Sequence, residues 1–149
     1  MFEILQPMCR TPLPRFPPSL VPRCRRCHWQ PESPNIVLPG NLNGNAGRPY
    51  YICIPCKDSA GQGVGDRVKC WITWDDDRGI HGSNPKCYCG IAGRQDRAGA
   101  RTNMPGLGFW TCATGHCDYF SRYRNGQTDE QRDLDPSKPG GVTFTPWLF

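Results

Sequence analysis

Cys24-Arg25-Arg26-Cys27 and, after 25 intervening residues, Cys53-Ile54-Pro55-Cys56 are the stretch on which the fold turns. Two cysteines separated by two residues can both point inward from a tight turn. A second close pair, delivered at the end of a strand, completes four thiolates around one ion. Gly47-Arg48-Pro49-Tyr50-Tyr51-Ile52 runs directly into Cys53. A glycine turn followed by aromatic and β-branched residues is suited to deliver that second pair.

The pattern recurs downstream. Cys87-Tyr88-Cys89-Gly90 opens a second copy, and 22 residues later comes Cys112, preceded by Gly106-Leu107-Gly108-Phe109-Trp110-Thr111. Cys117 closes it. Cys53 and Cys112 stand 59 positions apart. Each copy therefore has a cysteine pair, a polar spacer, a glycine turn, two aromatics, a β-former and cysteine.

Composition explains why a metal is needed. Of 149 residues, 17 are Gly, 16 are Pro, and only 26 are Leu, Ile, Val or Phe. So few aliphatic side chains argue against a conventional enzyme core. Ten cysteines and sixteen aromatic residues argue against simple disorder. A structural zinc ion contributes roughly 10–16 kcal/mol of apparent binding energy. The net stability of a domain is only about 5–15 kcal/mol. One ion per copy can therefore supply what aliphatic burial cannot.

Reduced thiols are the other requirement. The beginning, Met1-Phe2-Glu3-Ile4-Leu5-Gln6-Pro7, does not read as a secretory leader, and no window approaches a membrane span. The expected setting is intracellular, the nucleus included, where cysteine pairs ligate metal rather than form disulfides.

The expected fold is small, mostly β and metal-stabilised: two tandem zinc ribbons of short antiparallel strands, with disordered termini. Residues 1–23 read as a Pro-rich arm, 24–80 as the first ribbon, 81–124 as the second and 125–149 as a polar Gly/Pro tail. Candidate strands are Asn35–Leu38, Tyr50–Ile54, Val68–Trp74 and Gly108–Ala113, and Val142–Thr145 suits a short edge strand. Helical periodicity is nearly absent. Asp75–Asn84 reads as the linker between the ribbons.

Two zinc ions are expected. Cys24, Cys27, Cys53 and Cys56 form the first ligand set, and Cys87, Cys89, Cys112 and Cys117 the second. Cys70 is an alternative to Cys56, because it precedes Trp71-Ile72-Thr73-Trp74 much as Cys117 precedes Asp118-Tyr119-Phe120. Cys9 is left over in the arm. His28, beside Cys27, and His116, beside Cys117, are adjacent donors whose expected role is packing or solvation. Four thiolates fill a tetrahedral sphere and leave no site for an activated water, which argues against zinc hydrolysis.

Cys24 followed by Gly47-Arg48-Pro49-Tyr50-Tyr51-Ile52-Cys53 resembles the GRF-type zinc finger family. Asn84-Pro85-Lys86-Cys87-Tyr88-Cys89-Gly90 is similar to the GRF-like ribbons of small fungal proteins. The resemblance covers roughly residues 24–120. It implies binding of single-stranded DNA or RNA, with Arg48 matching the arginine of the family core and Tyr50 and Tyr51 its aromatic positions. The second copy departs from the family pattern, with Leu107-Gly108 where the arginine would stand.

Charge gives the nucleic-acid reading little support. The net charge is +5 and the pI about 8.7, short of the pI above about 9 of a strongly basic binder. Asp75-Asp76-Asp77 would repel phosphate. Arg94, Arg97 and Arg101 read as a basic surface loop. The alternative is a zinc-stabilised protein-interaction module. No membrane association and no small-molecule substrate are expected. Cys53-Ile54-Pro55-Cys56 could suit a thiol oxidoreductase, but the βαβ pattern that accompanies such a motif is missing, and the chain is not expected to be an enzyme.

Overall fold

A computed structural model describes residues 12–14, 22–41, 44–59, 70–99, 102–134 and 141–148. Most of the expected N-terminal arm, with Cys9, lies outside them, as do Val68, Lys69 and Arg101. The chain forms two compact units. One gathers the described residues from 22 to Asp77 with Thr114–Asp118. The other gathers 12–14, Arg78–Ala113 and the residues from Tyr119 onward.

Each unit is built on a three-stranded antiparallel sheet. In the first, β1 (Asn35–Ile36) pairs with β2 (Pro49–Ile52), and β2 pairs with β3 (Trp71–Trp74). In the second, β4 (Arg94–Arg97) pairs with β5 (Gly108–Thr111), and β5 with β6 (Phe120–Ser121). The central strands β2 and β5 are the aromatic segments of the two sequence copies. Each is entered through a glycine in the left-handed region, Gly47 at φ 80° and Gly106 at φ 78°, a conformation that costs glycine nothing. The internal repeat is thus a repeat of backbone conformation.

The expected strands form, but shorter. β1 ends at Ile36, although Val37 continues the ladder by donating to Arg48 O at 3.0 Å and accepting from Gly47 N at 2.9 Å. β2 ends at Ile52 because α1 (Ile54–Ser59) begins there. A second short helix, α2, spans Asp129–Leu134. It is capped in both directions, with Gln131 N donating to Thr128 Oγ1 at 3.2 Å and Thr128 N to Gln131 Oε1 at 2.9 Å.

Three expectations need correction. Arg94 and Arg97 lie on β4 rather than in a basic loop, and Arg94 is 1% exposed, its guanidinium donating to the carbonyls of Arg78 at 2.7 Å and Ala113 at 3.1 Å. Carbonyl acceptors, not sequence polarity, set its position. The end of the chain is also not a free tail. Phe144 is buried and stacks on Trp110 with ring centroids 5.2 Å apart, and Trp147 meets both rings edge-on. The segment from 142 to 145 is not a strand, yet it is anchored by Gly108 N to Phe144 O (2.7 Å) and Arg124 N to Val142 O (2.8 Å). The two helices among the described residues are six residues each, in keeping with the near-absence of helical periodicity.

Aromatics do the work of the missing aliphatics. The first unit buries Tyr51 and Ile72 with Cys24 and Cys53, flanked by Trp29. The second buries Trp110, whose indole N–H donates to Tyr123 O at 2.9 Å, so its polar atom carries no desolvation penalty.

Candidate metal centres

Each unit's first knuckle is a hydrogen-bonded turn. Cys24 N donates to Trp29 O and His28 N to Cys24 O, both at 2.9 Å. Cys87 N donates to Ile91 O and Gly90 N to Cys87 O, both at 3.0 Å. The left-handed residue is Gly90 (φ 82°) in one turn and His28 (φ 64°) in the other. Each turn also aims a backbone N–H at its first sulfur, Arg26 N at Cys24 Sγ and Cys89 N at Cys87 Sγ, both at 3.4 Å.

The second pair arrives from the end of the central strand. Cys53 follows β2, and α1 brings Cys56 back beside it. Cys112 follows β5, and the turn through Gly115 brings in Cys117. Two groups of four sulfurs result: Cys24, Cys27, Cys53 and Cys56, and Cys87, Cys89, Cys112 and Cys117. Within each group every Sγ lies within 4.8 Å of the others. Approaches in the first are 3.3 Å (Cys27–Cys53), 3.7 Å (Cys24–Cys56) and 3.8 Å (Cys27–Cys56). In the second, Cys89 and Cys112 are 4.0 Å apart.

These spacings fit zinc. A tetrahedron of sulfurs at about 2.3 Å from a central ion has an edge of about 3.8 Å. The same spacings exclude disulfides, whose sulfurs sit about 2.05 Å apart, and none of the nine described cysteines is disulfide-bonded. The burial pattern is the same in both groups, two buried sulfurs, one half-buried and one exposed.

Cys56, not Cys70, completes the first group. Cys70 is buried, and its carbonyl accepts from Cys53 N at 2.8 Å. It therefore approaches the site through its main chain, extending the β2–β3 ladder by one bond. His28 and His116 lie outside both groups.

The thiols respond to this crowding. Burial works to raise the Cys24 thiol, but donors aimed at its sulfur, the N–H groups of Cys27 and Arg26 and the thiols of Cys53 and Cys56, outweigh it and bring it down to about 7. Burial, together with the neighbouring thiols, pushes Cys53 up. A divalent cation reverses this conflict, because it holds all the ligands as thiolates.

Residues 21–78 match the family model described as a GRF-like zinc ribbon domain. The first unit is thus similar to a GRF-like zinc ribbon. The match ends at residue 78, before the second cysteine group, and that group repeats the ribbon's ligand geometry with different spacings. No curated protein and no solved structure matches the chain significantly. Among the described residues, no helix is long and apolar enough to cross a membrane.

The three residues expected to meet nucleic acid have separate fates in this ribbon. Arg48 is 8% exposed. Its guanidinium binds Asp76 through two bonds of 2.8 and 2.9 Å, reaches Asn45 Oδ1 at 3.0 Å and lies 3.8 Å from the Trp74 ring centroid. Tyr51 faces the sulfur side, buried, with its hydroxyl donating to Asp75 Oδ2 at 3.0 Å; burial and this carboxylate push it up to about 12. Tyr50 lies half-buried on the other face, stacked on half-buried Trp71 at 5.5 Å and 13°. Sequence reasoning missed Asp75 and Asp76, which read as linker. They are the internal partners of the two residues assigned to an external ligand.

Proposed function

We propose that the protein is a non-catalytic, zinc-structured binding module, and that it engages another protein through the face of the first ribbon's sheet turned away from the sulfurs. The ion pair of Arg48 with Asp76 carries this reading. The arginine that would have met phosphate has its charge matched inside the ribbon, and the rings beside it adjoin a run of carboxylates. The absence of catalysis follows from ligand chemistry, since four thiolates complete the coordination sphere. An intracellular setting follows from the need to keep eight ligand thiols reduced.

Crosslinking of the full-length, zinc-loaded protein in nuclease-treated extract tests this reading. Protein adducts should form with the wild type and be lost in Tyr50→Ser at unchanged zinc content. Adducts that vanish with nuclease treatment contradict it.

A second reading, binding of single-stranded nucleic acid, draws on the exposed Arg23, Arg25 and Arg26 around the first knuckle. Arg25 donates to the Cys117 carbonyl at 2.8 Å, which holds it against the ribbon. This reading predicts affinity for oligodeoxythymidine that falls steeply with added salt, and a flat response removes it.

A further inference from the structure

The face carrying Tyr50 and Trp71 has a definite chemistry. Tyr50 and Trp71 are stacked, and Trp74 packs edge-on against both, at 6.0 Å from Tyr50 and 4.8 Å from Trp71. Trp74 is nearly buried, whereas Tyr50 and Trp71 keep part of their ring surface in solvent. Directly after Trp74 come Asp75, Asp76 and Asp77. Asp76 is paired with Arg48, Asp75 accepts from Tyr51, and Asp77 is exposed. Arg78 follows the run, so three carboxylates stand against the two guanidiniums of Arg48 and Arg78, and this end of the sheet keeps a net negative charge. At the opposite end of β3, Arg25 lies 3.5 Å from the Trp71 carbonyl.

The ribbon already illustrates what such a surface holds. Arg48 lies flat over an indole while its fork meets a carboxylate. Aromatic faces attract guanidinium and ammonium groups through the ring quadrupole, and a planar guanidinium both stacks and forks. Phosphate would gain nothing from the rings' quadrupole and would be repelled by the carboxylates.

We propose that the Tyr50–Trp71 face, bordered by Asp75–Asp77, docks a protein segment bearing arginine or lysine, with the cationic head on the rings and beside the acidic run. This proposal rests on the protein-binding reading and specifies the partner's charge.

The test titrates the full-length, zinc-loaded protein, read by tryptophan fluorescence, with three probes: a short Gly/Arg peptide, a Gly/Glu peptide of the same length and oligodeoxythymidine. The Gly/Arg peptide should bind best. Tyr50→Leu and Asp77→Lys should each weaken it about two- to fivefold, with zinc content unchanged. Asp77 is exposed, so its replacement keeps the test valid if Tyr50→Leu perturbs the sheet. Preference for the Gly/Glu peptide overturns the proposal but leaves the protein-binding reading standing. Preference for oligodeoxythymidine, or no binding by any probe, overturns both. Gly/Arg binding unchanged in both variants removes this face as its site.

Discussion

Arg48 shows how a single residue can satisfy a family motif and yet serve the fold. Its two bonds to Asp76, its bond to Asn45 and its stacking on Trp74 clamp the turn before β2 to the end of β3. Arg48→Ala removes charge-assisted bonds from a largely buried site and should cost about 2 kcal/mol. Arg48→Lys keeps the charge but not the fork and should cost about half as much. Denaturant midpoints of the zinc-loaded protein measure both. The motif was legible in the sequence, but its use was not, because Asp76 lies 28 positions away and only the β2–β3 register brings it close. Cys24 gives a pH prediction at the same scale. Its thiol is lowered from 9.0 to about 7, so its contribution to the native site is present above its ordinary range and lost as pH falls through about 7. Zinc acts with the same sign, since protons compete for the ligands. At limiting zinc, bound metal should fall as pH drops below about 7; retention unchanged into acid contradicts this.

Among the elements, the aromatic strands were the easiest to read. Tyr50–Ile54 and Gly108–Ala113 are legible from a glycine turn followed by β-formers, and β2 and β5 start within one residue of those positions and end two residues earlier. β4 was not legible, because Arg94-Gln95-Asp96-Arg97 has no apolar alternation. It becomes a strand by pairing with β5, while Arg94 is satisfied by carbonyls. The segment after 140 was obscured by its Gly and Pro content. Its order comes from Phe144 on Trp110 and from Gln95 Oε1, which accepts from Trp147 N at 2.8 Å and Leu148 N at 2.7 Å. Phe144 also fills the space a side chain at Gly108 would need. Phe144→Ala should therefore destabilise the second unit by about 3 kcal/mol and leave the first ribbon's zinc in place. Metal content during denaturation of this variant separates the two effects.

For the whole molecule, the cysteine spacing and the shortage of aliphatic residues contain most of the account. Both ligand groups were readable because a tetrahedral site needs close pairs, and close pairs are visible in sequence. The docking face was less so, since alternation along β2 puts Tyr50 and Tyr51 on opposite sides and only burial distinguishes them. The central claim is that two four-thiolate zinc sites hold together sheets whose apolar burial is too small to do so. Native mass spectrometry of the reduced full-length protein, paired with near-ultraviolet circular dichroism during chelation, tests it most directly. The account predicts two zinc ions per chain and loss of the aromatic signal as they are withdrawn. A chain that keeps its cooperative aromatic signal with no metal bound and every thiol reduced would contradict it.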